Sequence, residues 1–196
     1  MKEVLLKDLC IEEESGKYGI PASAQEFDLN KTRYLRISDI SDNGELLDID
    51  KKSIEATDLD KYILQENDIV FARTGNSTGR TYFHENKNGE LAFAGFLIKF
   101  RLDENKLTPK YLKYYTLSNK YKDWVNNLSV GSTRGNINAQ SFANCPISIP
   151  EPQQQDLLVS VLSAIDNKIA LNNRINDNLP KPVRSLTWVT ASREVA

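Results

Sequence analysis

The chain has 196 residues, of which 40% are hydrophobic, and a formal net charge of −2. This length predicts one globular domain with an appendage, or two small domains. No apolar run approaches the roughly 18 residues that a membrane span requires, and the charged N-terminus does not resemble a signal peptide. Two distant cysteines, Cys10 and Cys145, and a single histidine, His84, supply a zinc site or a catalytic triad poorly. We expect free thiols in a reducing cytoplasm.

The first two-thirds of the chain has the pattern of short strands separated by turns. The strand candidates are RYLRISDIS (33–41), NDIVFAR (67–73), RTYFH (80–84) and LAFAGFLIKFRL (91–102), the last being a strand or strand pair with Gly95 as a candidate bulge. DNGE (42–45) and ENKNGE (85–90) carry turn signals between them. Recurrence at intervals of roughly ten residues favours an antiparallel or mixed sheet.

Helical signals begin at Thr108-Pro109, an N-cap followed by a proline suited to the first helical turn. We predict one helix over 109–128, a short strand in CPISIPEP (145–152), and a long last helix that starts at Pro152. The predicted fold class is therefore α/β (α+β), with a sheet domain over 1–150 and a helix over 151–179.

The last helix carries an apolar seam whose members step alternately by four and three residues. Its members are Leu158, Leu162, Ile165, Ile169, Asn172, Asn176 and Leu179. Such a heptad seam favours a partner helix in a coiled coil, and its asparagines can fix the register. The alternative is that the seam packs on its own domain. Pro180 and Pro182 should end the helix, and we expect the tail over 180–196 to be loosely ordered.

Charge is distributed unevenly along the chain. Residues 1–66 sum to −7, residues 67–150 to +5 and residues 151–196 to zero. A local basic face matters more for binding a polyanion than the total charge does. Chance variation explains such an asymmetry too, so it raises the expectation of DNA binding only modestly.

Most enzymatic readings lack the residues that they require. GNSTGR (75–80) lacks the lysine of a phosphate-binding loop, and Ser77 does not lie in the GxSxG motif of a nucleophile elbow. A metal-dependent nuclease needs clustered carboxylates near a lysine. Asp48, Asp50, Glu55 and Lys51 fit that need, although acidic turn residues explain them equally well. A nuclease is thus the enzymatic alternative.

Two loops of similar composition suit nucleic-acid binding better. The candidate DNA-contacting residues are Arg73, Thr74, Asn76, Ser77, Thr78 and Arg80 in the first loop, and Ser132, Thr133, Arg134, Asn136 and Asn138 in the second. Arginine pairs with guanine O6 and N7, asparagine pairs with adenine, and hydroxyls suit phosphate oxygens. Helical lysines and tyrosines add a candidate basic face: Lys110, Lys113, Tyr114, Lys120, Tyr121 and Lys122. The alternative for each loop is an ordinary surface turn.

These segments, in this order, resemble the specificity subunit of type I restriction–modification systems, and one half of it in particular. RYLRISDIS (33–41) resembles the family's "wi..sdi" segment, and NDIVFARTGNSTGRTYF (67–83) resembles its "gDil.srtG.tiGk" block. The stretch 110–169 resembles the end of a target-recognition domain and the spacer helix after it. The resemblance covers residues 1–179.

The resemblance implies a DNA target-recognition domain over 1–150 and a spacer helix over 151–179 for dimerisation and methyltransferase binding. It implies no catalysis and no cofactor in this chain. S-adenosylmethionine, ATP and Mg²⁺ are expected on partner methyltransferase and restriction–translocase subunits, which the chain would direct to a bipartite site on double-stranded DNA. A stand-alone DNA-binding protein is a further alternative.

The chain also departs from the family pattern. Full-length members carry two recognition domains and two spacer helices, whereas no second copy is found here. A homodimer would restore that arrangement. The tail over 180–196 is unlike the family, as expected of a truncated, shuffled or recombined gene end. A silent recognition cassette is a further alternative for the chain.

Overall fold

The computed structural model describes residues 1–130 and 136–178, and within them it contains ten strands and four α-helices. The strands are β1 (Lys2–Leu5), β2 (Lys17–Tyr18), β3 (Gln25–Glu26), β4 (Thr32–Leu35), β5 (Lys52–Ile54), β6 (Asp68–Ala72), β7 (Thr81–Phe83), β8 (Leu91–Phe93), β9 (Leu97–Arg101) and β10 (Pro146–Ile149). The helices are α1 (Pro109–Tyr115), α2 (Asn119–Val130), α3 (Ala139–Ala143) and α4 (Pro152–Asn178). Single 3-10 turns occur at Leu6–Leu9, Glu12–Glu14, Ile37–Asp39, Leu59–Tyr62, Gly75–Ser77 and Asn86–Asn88.

The described strands form three sheets. The central sheet has the order β2-β9-β6-β7 and is antiparallel throughout. The second sheet has the order β3-β5-β4-β8, and only its β4–β8 pair is parallel. β1 and β10 form a separate antiparallel pair in which Lys2 lies opposite Ile149. The expectation of antiparallel and mixed sheets, and of a mixed α and β fold, is confirmed.

The segment 91–102 contains two strands that belong to different sheets. β8 pairs with β4 in the second sheet, whereas β9 pairs with β6 in the central sheet. Gly95 lies in the short connection between them, where the Leu97 N–H donates to the Ala94 carbonyl at 2.8 Å. Gly95 therefore marks the change of sheet, and the alternative of a strand pair is the correct one.

β6 is buried on both faces because its side chains alternate between two apolar clusters. Ile69 and Phe71 belong to the cluster that also includes side chains of α1, α2 and α3. Val70 and Ala72 belong to a second cluster, which includes side chains of both four-stranded sheets. The period of two residues along a strand produces this division. Full burial stabilises a side chain such as Phe71 by about 1.5–3 kcal/mol, so β6 is a central element of the core.

A buried ion network lies beside these clusters. Asp68, on β6, is fully buried and accepts hydrogen bonds from Arg101 at 2.8 and 3.0 Å. The Lys99 ammonium lies 3.6 Å from Asp68 and 3.1 Å from Glu14. This pairing satisfies the charges that β6 and β9 bury, and it attaches the segment around Glu14 to the central sheet.

The prediction of a single helix over 109–128 is wrong, because residues 116–118 separate α1 from α2. The Ser118 hydroxyl accepts a backbone N–H from the first turn of α2 at 3.4 Å. A serine that bonds to the backbone in this way favours a helix start over a helix interior. The Thr116 hydroxyl shares a 2.8 Å hydrogen bond with Thr81 of β7, which ties the break to the central sheet.

α4 starts at Pro152, as the sequence predicts, and its first turn is attached to α1. Thr108 lies at the N-cap of α1, but its hydroxyl donates to Asp156 at 2.7 Å instead of capping the helix. The Thr108 N–H donates to the buried Gln155 side chain at 2.9 Å. The compact unit that contains the sheets extends to Ser160, and a second unit begins at Val161.

Along α4, the described apolar seam residues are partly exposed to solvent, Leu162 less than the others. Leu158, Ile165 and Ile169 are 40%, 48% and 48% exposed. The seam's last member, Leu179, and the predicted tail lie outside the described residues. Within the described residues, no helix has the length and apolar character that crossing a membrane requires.

Candidate nucleic-acid interface

The first predicted loop is a tight connection between the antiparallel strands β6 and β7. The Ala72 N–H donates to the Arg80 carbonyl at 2.8 Å, and the Gly79 N–H donates to the Ala72 carbonyl at 2.8 Å. Gly79 has φ +85°, and a Cβ there would approach Val125 of α2 to 2.5 Å. The loop is therefore pressed against α2, and Asn76 at its tip is exposed.

The hydroxyl residues of this loop differ in their roles. The Thr78 hydroxyl donates to the Gly75 carbonyl at 2.7 Å, so this side chain stabilises the turn. Thr74 and Ser77 are partly exposed. Hydroxyls at the surface of such a loop suit contacts with phosphate oxygens.

The two predicted loops meet at Arg73. The backbone N–H of Ile137 donates to the Arg73 carbonyl at 2.9 Å. The Arg73 Nε donates to the Asn136 side-chain oxygen at 3.3 Å. Residues 63 positions apart in the sequence thus share one surface. Ser132, Thr133 and Arg134 lie outside the described residues, so their assignment to this surface stays a prediction.

Tyr18, on the edge strand β2, is a member of this surface that the sequence analysis missed. The Arg73 guanidinium lies 4.9 Å from the centroid of its ring. The Tyr18 hydroxyl accepts the backbone N–H of Ala139 at 3.1 Å, so it also contacts the start of α3. A lone tyrosine in a charged N-terminal segment gives no sequence signal of this role, because only the sheet order brings β2 near Arg73.

Phe96 is a second missed residue, in the connection between β8 and β9. Its side chain is 60% exposed, and its carbonyl accepts the Arg73 backbone N–H at 3.0 Å. An exposed aromatic side chain beside an arginine is suited to contacts with a base or a thymine methyl group. The apolar pattern of the segment 91–102 concealed it among core residues.

Arg80 differs from Arg73 in its electrostatic surroundings. Its guanidinium lies 2.5 Å from the Asp42 carboxylate and donates to the Ile40 carbonyl at 3.4 Å. Arg80 therefore connects the loop to the turn over 42–45, and much of its charge is offset. Arg73 has no carboxylate partner among the described residues, so it is the stronger candidate for an anionic ligand.

Asn138 has a structural role at the start of α3. It occupies the N-cap position, and its side-chain oxygen accepts the Ser141 N–H at 2.8 Å. This bond satisfies one of the open N–H groups of a helix start. Its acceptor is thus engaged in the fold.

The proposed basic helix face is only partly present. Tyr121 is buried and donates to the Gly79 carbonyl at 2.8 Å, so its assignment to an exposed face is wrong. Lys110 pairs with Glu85 at 2.8 Å, and Lys120 pairs with Glu3 at 2.7 Å. Lys113 lies 5.2 Å from the ring centroid of Tyr114, and Lys122 is exposed.

The carboxylates of the nuclease alternative are each engaged by basic side chains. Asp48 pairs with Arg33 and Lys51, Asp50 with Arg36 and Lys52, and Glu55 with Lys31. In the part of the chain that the structure describes, no group of three or more His, Cys, Asp or Glu side chains has the arrangement of a metal site.

The two cysteines and the single histidine of the chain are buried. Burial raises the pKa of the Cys10 thiol and of the Cys145 thiol to about 12, so neither is a thiolate near neutral pH. Both are free thiols, as expected. Burial lowers the pKa of His84, whose Nδ1 shares a 3.3 Å hydrogen bond with the Tyr82 hydroxyl. These groups belong to the core rather than to a reactive site.

Comparison with known proteins agrees with the resemblance of the sequence. The family model of the type I restriction modification DNA specificity domain matches residues 1–181. The specificity subunit of the type I restriction enzyme StySPI from Salmonella potsdam is 25% identical over 173 residues, 85% of this chain and 37% of that protein. A putative type I restriction enzyme MjaX specificity subunit from Methanocaldococcus jannaschii is 26% identical over 94% of this chain and 42% of its own length.

Solved structures show the same fold. The HsdS subunit from Thermoanaerobacter tengcongensis superposes with a TM-score of 0.58 at 16% identity, over 89% of this chain and 44% of that one. The S subunit from M. genitalium gives 0.57 at 15% identity, over 88% and 41%. The chain thus spans about two-fifths of the length of the relatives that it matches. It belongs to the family of type I restriction–modification DNA specificity domains.

Proposed function

We propose that this chain recognises a DNA sequence on behalf of a type I restriction–modification enzyme. The observation that carries the proposal is the convergence of two polar loops at Arg73, in a chain that the specificity-domain family matches over residues 1–181. Arg73 and Asn136 offer the donors and acceptors that read base edges, and the hydroxyls of Thr74 and Ser77 suit phosphates. The proposed contact set also includes Asn76 and Arg80 and, outside the described residues, Ser132, Thr133 and Arg134.

The proposed role of the chain is recognition without catalysis. The methyltransferase and restriction–translocase subunits would carry the S-adenosylmethionine, ATP and Mg²⁺ chemistry, and the chain would position them on double-stranded DNA. The carboxylates of the nuclease alternative are held in ion pairs with several different basic residues, which argues against a shared metal. The proposed location is the cytoplasm, where such complexes meet DNA.

We further propose that α4 is the spacer helix and that two copies of the chain pair along it. Support comes from the solvent exposure of Leu158, Ile165 and Ile169 in a heptad pattern. Apolar side chains in such a continuous stripe favour burial against another helix. In a two-fold dimer each copy would read one arm of a gapped site, and methyltransferase subunits would bind beside the paired helices.

The test is DNA binding by the chain co-purified with the methyltransferase subunit encoded beside it. The complex should bind one duplex in a random-sequence selection far more tightly than bulk competitor DNA. Arg73→Ala should lower affinity for that duplex roughly five- to 150-fold, the range of a base-reading arginine. The acid-paired Arg33→Ala, on the second sheet, is the control. Equal affinity for all duplexes in the unchanged complex would contradict the proposal.

A further inference from the structure

The backbone and the side chain of Arg73 are both held in place by neighbouring segments. Its backbone N–H donates to the Phe96 carbonyl at 3.0 Å, and its carbonyl accepts the Ile137 N–H at 2.9 Å. Its Nε donates to Asn136 at 3.3 Å, and its guanidinium lies over the Tyr18 ring at 4.9 Å. An exposed arginine that only meets phosphates needs no such support, because its charge acts without a fixed plane.

The Tyr18 ring lies beneath the Arg73 guanidinium and is itself held in place. Its hydroxyl accepts the Ala139 N–H at 3.1 Å, so the ring does not turn freely on the edge strand. The side chain is nevertheless 42% exposed, which places this contact at the protein surface. An arginine stacked on a held aromatic ring loses less conformational freedom when it binds.

Within residues 1–130 and 136–178, no carboxylate forms a salt bridge with Arg73. Four of the six arginines in the described ranges form salt bridges with carboxylates: Arg33, Arg36, Arg80 and Arg101. Among the described residues Arg73 forms none, and its two terminal nitrogens, Nη1 and Nη2, donate to no other group. Because Nε donates to Asn136, the guanidinium is oriented and its two terminal nitrogens form a pair of donors with a fixed direction. Such a pair of donors matches the O6 and N7 acceptors of guanine in the major groove.

We infer that Tyr18 is a positioning residue that orients Arg73 to read a guanine in the recognised DNA sequence. The inference rests on the proposed function and adds both the base and the residue that sets the geometry. Asn136 supports the same orientation through Nε. Loss of the Tyr18 ring leaves the charge of Arg73 unchanged but lets its plane rotate, so discrimination at one base pair falls more than overall affinity does.

The test uses the full chain in complex with the methyltransferase subunit and the duplex that this complex selects. Each guanine of that duplex is replaced in turn by 7-deazaguanine, which lacks the N7 acceptor. One replacement should weaken binding by the unchanged complex roughly five- to 150-fold. Arg73→Lys should weaken binding to the guanine duplex by a similar factor. The affinity of this variant should fall little further when 7-deazaguanine replaces that guanine.

Tyr18→Leu should lower the guanine preference at the same position roughly two- to fivefold, the range of an exposed cation–π contact. Tyr18→Phe retains the ring and should retain most of the preference. Arg33→Lys, at an acid-paired site on β4, measures the general cost of replacing an arginine by lysine. Thermal unfolding of each variant separates local reorientation from a loss of folding, since reorientation leaves the melting temperature unchanged.

Three results would overturn the inference. A selected duplex whose binding is insensitive to every 7-deazaguanine replacement excludes guanine reading, while the proposed function stands. Equal weakening of all sequences by Arg73→Ala, with a shallower salt dependence, assigns Arg73 to a phosphate. A complex without any sequence preference contradicts the proposed function and the inference together.

Discussion

The Arg80 guanidinium lies 2.5 Å from the Asp42 carboxylate, so the second arginine of the loop over 73–80 is paired within the protein. Asp42→Asn removes the competing charge and should strengthen binding to DNA of any sequence, by roughly three- to tenfold at low salt. The slope of log affinity against log salt should steepen by about one, the value for one added phosphate contact. Fluorescence anisotropy over a salt series measures both quantities.

Asp58→Asn is the matched control for that substitution. Asp58 is exposed, pairs with Lys61, and has φ +58°, which asparagine accepts well. Asp58→Asn also removes one negative charge, but at a site outside the surface around Arg73. An equal steepening of the salt dependence in both variants would mean that net charge acts, and not the release of Arg80.

The buried network around Asp68 should contribute strongly to stability. Asp68→Ala leaves Lys99 buried and Arg101 without its closest partner. Removing one member of a buried pair costs about 3–5 kcal/mol in the free energy of unfolding. Urea denaturation measures the loss. Glu14→Ala, at the partly exposed end of the network, should cost less than about 1 kcal/mol. Equal costs for both would contradict a buried network.

His84 should make stability depend on pH near neutrality. Burial lowers the pKa of His84 in the folded chain, whereas the pKa of this histidine in the unfolded chain is about 6.5. The unfolded state therefore takes up a proton first as the pH falls through this value. Stability should be greatest above this pH and should decrease from pH 7.5 to 5.5.

His84→Gln should flatten that dependence, and the assignment is simple because the chain has a single histidine. Urea denaturation at a series of pH values above 5.5 provides the measurement, because carboxylates titrate below that range. The same pH slope with and without His84 would show that other groups are responsible.

The apolar seam of α4 should determine the oligomeric state. In sedimentation equilibrium the chain should have about twice its mass of 22.2 kDa. Ile165→Glu with Ile169→Glu places charge in the seam and should give a monomer. Asn167→Glu adds a charge at an exposed position of the same helix outside the seam and should leave the dimer intact. A monomer at high concentration of the unchanged chain would contradict pairing.

Local sequence patterns predicted the elements that have a regular run of buried residues or a clear start signal. The apolar run of NDIVFAR corresponds to β6, whose consecutive side chains are all buried, and Pro152 starts α4. The break between α1 and α2 was missed because the weak helix formers Thr116 and Ser118 interrupt the segment 109–128 only briefly, and such residues also occur inside helices. Ser118 and the contact of Thr116 with Thr81 decide that break, and the second is a tertiary contact.

The sequence predicted only part of the candidate surface, because the rest depends on tertiary contacts. Loop composition indicated Arg73 and Asn136, because arginine and asparagine in loops rich in Gly, Ser and Thr suit contacts with bases and phosphates. Tyr18 lies 55 positions before Arg73 and reaches it only through the order β2-β9-β6. Likewise, the pairing of Arg80 with Asp42 depends on the docking of a turn, which loop composition does not encode.

The most direct test of DNA recognition is methylome sequencing of DNA treated with the complex of this chain and its methyltransferase subunit, with S-adenosylmethionine present. We expect one methylated adenine motif, gapped and palindromic, because a two-fold axis relates the two copies of the same DNA-reading surface. A stable complex that methylates no motif, or that methylates adenines without regard to sequence, would contradict it.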